Sequence, residues 1–244
     1  MQAHRKRLNA VANWKGSYMT KSRPKVLMLI TELGYGGAER SFIRVANYLS
    51  MQMDVTVAVF RDSSNGTYQL PKNEWPVAPV IELDSGVKHH SKFLLWLKRW
   101  YRLRQLKRAS DICISYMGGP NLLNVLAGYS RKTVVSLRGS MMHNDNCESH
   151  SPLLNHYLIL PFTYRKAARI VVVSEGLKHE VVTHSGKGSL KKTFTIPTFF
   201  VPEAFEQRAA APLPVSYKAL EGQPLLVSVA RLSVEKHYQH LIRP

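Results

Sequence analysis

Lys25-Val26-Leu27-Met28-Leu29-Ile30 is a nearly continuous apolar run of strand length, without the alternation of a half-exposed strand. A strand of this kind must be covered on both faces, so the chain needs helices above and below a sheet. The next residues supply them. A glycine loop, Gly34-Tyr35-Gly36-Gly37, leads into a segment with Phe42, Val45, Ala46 and Leu49 on one helical face. Val55-Thr56-Val57-Ala58-Val59-Phe60 then returns as a second apolar run. Strand, helix and strand in this order form a βαβ unit, the building block of a parallel sheet.

The alternation continues. Val80 to Leu83, Ile112 to Ser115, Thr133 to Leu137, Ile170 to Val173 and Thr193 to Ile196 read as further strands. Helical segments fall at Lys92–Arg108, Asn121–Ala127 and Leu153–Lys166, and Ser174 can cap another by accepting an unpaired amide proton. Seven strands alternating with helices predict a doubly wound α/β, Rossmann-like domain over residues 25–200. Residues 1–24 carry six Lys and Arg and no acid, and read as a flexible basic arm. Residues 201–224, with Ala209-Ala210-Ala211-Pro212-Leu213-Pro214, read as a linker, and Leu225 to Ala230 as the first strand of a second unit over 225–244.

The charge points to an anionic partner. Lys and Arg number 34 against 16 acids, a formal net charge of +18, which suits nucleic acid, an acidic membrane surface or phosphorylated ligands. Cations spread over a solvated surface are the plain alternative. No apolar run is long enough for a spanning helix, and the basic N-terminus lacks the apolar core of a signal peptide. Cys113 and Cys147 offer neither a disulfide framework nor metal-ligand spacing, and a reduced, cytoplasmic protein is the expectation.

Several motifs carry chemistry, each with a bland alternative. Glycines at 34, 36 and 37 let backbone amides approach a phosphate or sugar, or simply make a tight turn. Glu39 stands where a dinucleotide loop wants a small residue, and can instead complement the helix dipole. Arg138 ends a parallel strand, a position that faces a ligand crevice, and Glu175 after the Ser174 cap faces the same way or serves only the dipole. His143, Asp145 and His150 lie in a polar loop without metal-site spacing. Between Phe93 and Arg104, Phe93, Trp96, Leu97, Trp100 and Arg104 share one helical side, with Lys98, Arg99 and Arg102 roughly opposite. Such a helix lies on an anionic bilayer through Trp96, Arg99, Trp100 and Arg102, or packs into a core with a solvated basic back. Arg231 and Lys236 follow the last apolar run, where a strand–loop–helix junction can hold a phosphate.

The order of these motifs resembles that of the group 1 (family 4) retaining glycosyltransferases of the GT-B fold. Lys25 to Arg40, with Gly-Tyr-Gly-Gly-Ala-Glu-Arg, resembles the family's opening. Ile170 to Leu177 is similar to its strand–Ser–helix segment, and Thr195-Ile196-Pro197-Thr198 to its Ile-Pro-Asn-like turn, with Thr198 for the common Asn. Val227 to Lys236 resembles the signature that opens the second domain, with Ala230 for the usual Gly.

The resemblance implies two Rossmann-like domains facing each other across a cleft. Arg231 and Lys236 would neutralise the diphosphate of a nucleotide-sugar donor, while Gly36, Gly37, Glu39, Arg138, Ser174 and Glu175 would line the acceptor side. Arg138 in its place resembles the branch that builds surface polysaccharides and lipid-linked glycans. It implies a glycan or lipid-linked acceptor, no metal or other cofactor, and a cytoplasmic protein peripheral on the inner membrane face. The family's acidic pair for the donor sugar and ribose lies further into the second domain than Pro244, so the expectation is a truncated or split enzyme with little activity alone, unless a partner chain completes the cleft. Two alternatives stay open: a basic module for membrane or nucleic acid without catalysis, with nucleic acid the less expected, and a GT-B-like epimerase.

Overall fold

The computed structural model describes residues 22–34, 36–61, 75–86, 91–140, 155–198, 206, 209–212, 217, 222, 224, 226–229 and 238–242. Most of the basic arm, the polar loop with His143, Asp145 and His150, and both Arg231 and Lys236 lie outside the described residues.

The element order is β1 (Lys25–Ile30), α1 (Gly37–Ser50), β2 (Asp54–Val59), β3 (Val80–Glu82), α2 (Lys92–Ala109), β4 (Ile112–Tyr116), α3 (Gly118–Leu126) and β5 (Thr133–Leu137). A π-helical turn (Asn155–Ile159) then runs into α4 (Leu160–Lys166), followed by β6 (Arg169–Val172), α5 (Glu175–Ser185), β7 (Thr193–Thr195) and a short α6 (Tyr238–Ile242). The seven strands form one sheet in the order β3-β2-β1-β4-β5-β6-β7, and every pairing is parallel. This is the doubly wound α/β fold that the apolar runs predict.

The even and odd residues of β1 serve different faces, as the strand period requires. Val26, Met28 and Ile30 pack with Phe42, Ile43 and Ala46 of α1 on one face. Leu27 and Leu29 pack with Leu103 of α2 and Leu123 of α3 on the other. Further along the sheet, Val135, Leu137, Ile170 and Val172 meet Leu160 and Tyr164 of α4 and Leu177 and Val181 of α5. Strands run leftward from β1 to β2 and rightward from β4 onward. Right-handed crossovers therefore put α1 and the later helices on opposite faces, and the switch falls between β1 and β4.

Two polar devices hold the lower edge. Asp111 accepts from the Lys25 amide at 2.8 Å, and its own amide donates to Lys25 O at 2.8 Å, so it ties β1 to β4 at their starts. Lys107 is fully buried, with Nζ donating to Asn124 O (2.7 Å), Asn124 Oδ1 (2.7 Å) and Thr133 Oγ1 (2.6 Å). Asn124 Nδ2 in turn donates to Cys113 O and Val134 O, so one lysine and one asparagine clamp α2 and α3 to β4 and β5.

Leu226–Val229 carries no strand, and its apolar side chains are exposed. A parallel strand takes its hydrogen bonds from neighbours, and β7 is the last strand of the sheet on this side.

Candidate functional site

All seven strands point the same way, so every βα loop emerges at one edge of the sheet. The crevice above β1 and β4, where the chain switches faces, is where open α/β sheets bind ligands.

The β1 loop enters it first. Gly36 is the N-cap of α1, extended at φ −66° and ψ 158°, and its carbonyl accepts from the Arg40 amide at 3.0 Å. The Glu39 carboxylate folds back over Gly36, with one oxygen 2.0 Å from where a Cβ would stand. At Gly37 a Cβ would meet nothing within 4 Å, so the first turn of α1 is open on that side. The two glycines thus do different jobs: one makes room for Glu39, the other leaves the helix terminus accessible.

Tyr116 closes β4 directly beside this loop. Its ring stands edge-on to Phe42 of α1, centroids 5.0 Å apart at 88°, a favourable T-shaped pair. The Arg138 guanidinium lies 4.4 Å over the Tyr116 ring, and its Nη2 donates to the Tyr116 hydroxyl. Burial pushes the Tyr116 hydroxyl above its ordinary pKa, with Arg138 pulling the other way. Arg138 Nε is buried on this face without a hydrogen-bond partner among the described residues. The stack sets Arg138, at the end of β5, two strand spacings or about 10 Å from the glycine loop.

Sequence reasoning misses the loop between β4 and α3. Met117 has φ 75° and ψ 162°, a region that is essentially glycine's, and it is followed by Gly118-Gly119-Pro120 at the start of α3. The last paired residues of β4 and β5 are Tyr116 and Ser136, so this loop and Arg138 leave neighbouring strands at the same edge of the sheet. The signal was available: two glycines after an apolar strand repeat the arrangement at Gly36-Gly37.

Ser174 and Glu175 lie further along the same edge, just after β6 and at the start of α5. The Ser174 hydroxyl accepts from the Leu177 amide at 3.3 Å and so caps α5. Thr195, and then Lys178 at 3.5 Å, hold the exposed Glu175 carboxyl below the usual range. The structure thus brings together Gly36, Gly37, Glu39 and Arg138, with Ser174 and Glu175 on the flank. No cluster of three potential metal ligands occurs among the described residues.

Trp96, Arg99, Trp100 and Arg102 are engaged inside the fold. Trp96 and Trp100 pack on the core, and Trp100 Nε1 donates to Leu126 O at 2.9 Å. Arg99 makes a two-pronged pair with Asp84 at 2.7 and 2.6 Å and covers Phe60, while Arg102 donates to Leu83 O and Ser85 Oγ. No helix among the described residues is long and apolar enough to cross a membrane.

A parallel seven-stranded sheet with a glycine loop at its switch point is the architecture of the N-terminal, Rossmann-like domain of a GT-B protein. The chain belongs to Glycosyltransferase Family 4, whose domain matches residues 35–203. Among solved structures it is similar to Anabaena HepE in complex with UDP and glucose, at 14% identity and TM-score 0.54, over 77% of this chain and 50% of that one. HepE with UDP-glucose gives 16% identity and TM-score 0.54, over 76% and 49% of the two chains. HepE with UDP gives 17% and 0.51, over 76% and 50%. At these identities the likeness is one of fold, and the chain spans about half the length of these structures. No curated protein matches it in sequence.

Proposed function

We propose that this chain is the acceptor-side half of a retaining, group 1 glycosyltransferase that moves a sugar from a nucleotide-sugar donor to a glycan or lipid-linked acceptor. The observation that carries it is the pairing of an open glycine helix terminus at Gly37 with the Tyr116-mounted Arg138 at the switch-point crevice of a family 4 chain. Backbone amides and a cation at one crevice favour negative charge, which a sugar transfer gathers as the nucleoside diphosphate departs. Arg231 and Lys236 are assigned to the diphosphate of that donor, and retention rests on the motif order alone. The structures of HepE in complex with UDP and glucose and with UDP-glucose make a uridine nucleotide sugar the first donor to try. A binding module acting through charge alone is not favoured, because the family match spans residues 35–203.

Calorimetric titration of the 244-residue protein with nucleotide sugars and bare nucleoside diphosphates tests this. Binding that falls about tenfold, or about 1.4 kcal/mol, in Arg138→Ala, Arg231→Ala and Lys236→Ala supports it. Binding indifferent to all three substitutions, or none with any ligand, counts against it.

A further inference from the structure

Helices α2, α4 and α5 end at the lower edge of the sheet, where their last carbonyls favour positive charge. The fold supplies it. Lys132, ahead of β5, donates to Arg108 O and Ser110 O at the end of α2. Lys192, ahead of β7, donates to Arg165 O and Ala167 O at the end of α4, and Arg165 Nε donates to Ser185 O at the end of α5. These three cations finish the three helices. Six more stand at the same edge. Arg108, Arg131, Lys166, Arg169, Lys187 and Lys191 are all exposed, and none joins an ion pair among the described residues. The acid in these strand-entry segments, Asp111, is bound to the Lys25 amide.

The six follow the sheet order. Arg108 precedes β4, Arg131 precedes β5, Lys166 and Arg169 open β6, and Lys187 and Lys191 precede β7, and these strands are neighbours in that order. At about 4.8 Å per strand they make a row roughly 15 Å long. Like charges so placed repel one another, and an anionic partner relieves that repulsion. A second copy would bring the same cations. Leu190, 52% exposed, stands between Lys187 and Lys191 and gives the row an apolar foothold. Carboxylates with apolar side chains among them meet both features, a combination that an acidic protein segment has and a phosphate backbone lacks. Tyr129, also at this edge, has its ring already engaged by Arg104 at 5.1 Å and Lys132 at 5.6 Å, so it offers little to a stacking base.

We propose that the lower edge of the sheet is a docking site for an acidic, partly apolar segment of another protein, its carboxylates on the six cations and an apolar side chain on Leu190. The five-residue strands β4 and β5 hold this edge roughly 16 Å from the crevice, so a docked partner leaves the glycine loop open. The docking does not depend on the sugar-transfer reading, and nucleotide sugars should not compete with it.

Fluorescence anisotropy of the 244-residue protein tests it, with a labelled Glu-Glu-Leu repeat peptide, an oligo-glutamate and an oligouridylate of equal charge. Because so basic a chain can meet any polyanion by charge alone, position decides. Arg131→Gln/Lys191→Gln and Arg108→Gln/Lys166→Gln should each lose about tenfold in peptide affinity. Arg44→Gln/Lys92→Gln removes two exposed cations away from this edge, and at about 0.15 M salt it should change affinity less than about twofold. Both edge pairs should melt at or above the wild-type temperature, since they relieve repulsion, so their lost binding is not lost folding. Leu190→Ser should weaken the leucine-bearing peptide severalfold and leave the oligo-glutamate as it was. The proposal is overturned by no peptide binding, by equal losses in the edge and control pairs, or by a peptide affinity untouched in Leu190→Ser. Oligouridylate bound more tightly than the peptide through the same edge overturns it as well.

Discussion

Arg138 both covers the Tyr116 ring, 4.4 Å from its centroid, and donates to the hydroxyl of the same residue. Tyr116 is in turn fixed edge-on by Phe42 of α1. A guanidinium at the end of β5 is thereby aimed from β4 and α1 together, rather than left on a mobile stem. Tyr116→Phe keeps the stack and removes the hydroxyl. Its cost in stability should be about 0.5–1.5 kcal/mol, the worth of one hydrogen bond. Its effect on nucleotide-sugar affinity should be larger in proportion, severalfold, and a chemical denaturation curve beside a calorimetric titration separates the two.

Gly36 and Gly37 should part company under mutation. Gly37→Ala places a methyl in open space, so the melting temperature should hold or rise slightly, since Ala outranks Gly in a helix by up to about 1 kcal/mol. Ligand affinity should nevertheless fall, because the methyl stands where a phosphate or sugar must approach. Gly36→Ala has to displace the Glu39 carboxylate, and here affinity and the α1 terminus should change together. Equal, undiminished affinity in both variants would place the ligand elsewhere.

Lys107 gives the protein an alkaline signature. Desolvation lowers its pKa from 10.5 to about 8, with Cys113 and Lys132 as smaller influences. In the unfolded chain the ammonium keeps its proton up to about 10.5, so between these values unfolding takes up a proton and stability rises with pH. Cys113 works the other way: its thiol is raised from 9.0 to about 12 by burial, so above 9 unfolding releases a proton. Stability should therefore climb by about 1 kcal/mol from pH 8 to 9 and then level off. Cys113→Ala should let the climb continue toward 10.5. Lys107→Met should abolish it and cost about 1–3 kcal/mol through the unpaired oxygens of Asn124 and Thr133. Urea denaturation across this pH range is the check.

The Arg99–Asp84 pair is largely buried and bound at two points. Asp84→Asn leaves the guanidinium over Phe60 without its counter-charge, and a loss of about 2–4 kcal/mol is expected, near the value for breaking a buried pair. A conservative Arg99→Lys should not recover it, because an ammonium cannot reproduce the two-pronged contact. Denaturation midpoints of the two variants decide this.

The fold was legible because β1, β4, β5 and β6 are short, largely apolar runs separated by helical segments, a pattern that few architectures other than helix-covered parallel sheets accept. The Ser174 cap was legible for a local reason: an N-cap needs only its own hydroxyl and an amide three residues on. Lys107 was not, since nothing in a row of cations on α2 tells which one meets Asn124 and Thr133 across the fold. The two sides of α2 were not separable either. Trp96 and Phe93 are both large and apolar, and only the placement of the helix on the sheet shows which turns inward. Arg138 and Gly37 could be put at one crevice edge from topology, whereas their link through Tyr116 and Phe42 needed coordinates.

The most direct measurement is hydrogen exchange on the 244-residue protein with and without a panel of uridine, guanosine and adenosine diphosphate sugars. Slowed exchange confined to the amides of Gly36–Arg40 and Met117–Asn121 in the presence of at least one donor is the expected result. Exchange unchanged at both loops with every donor, or slowed only at sites away from the sheet's carboxyl edge, would contradict a sugar-transfer crevice at the β1/β4 switch.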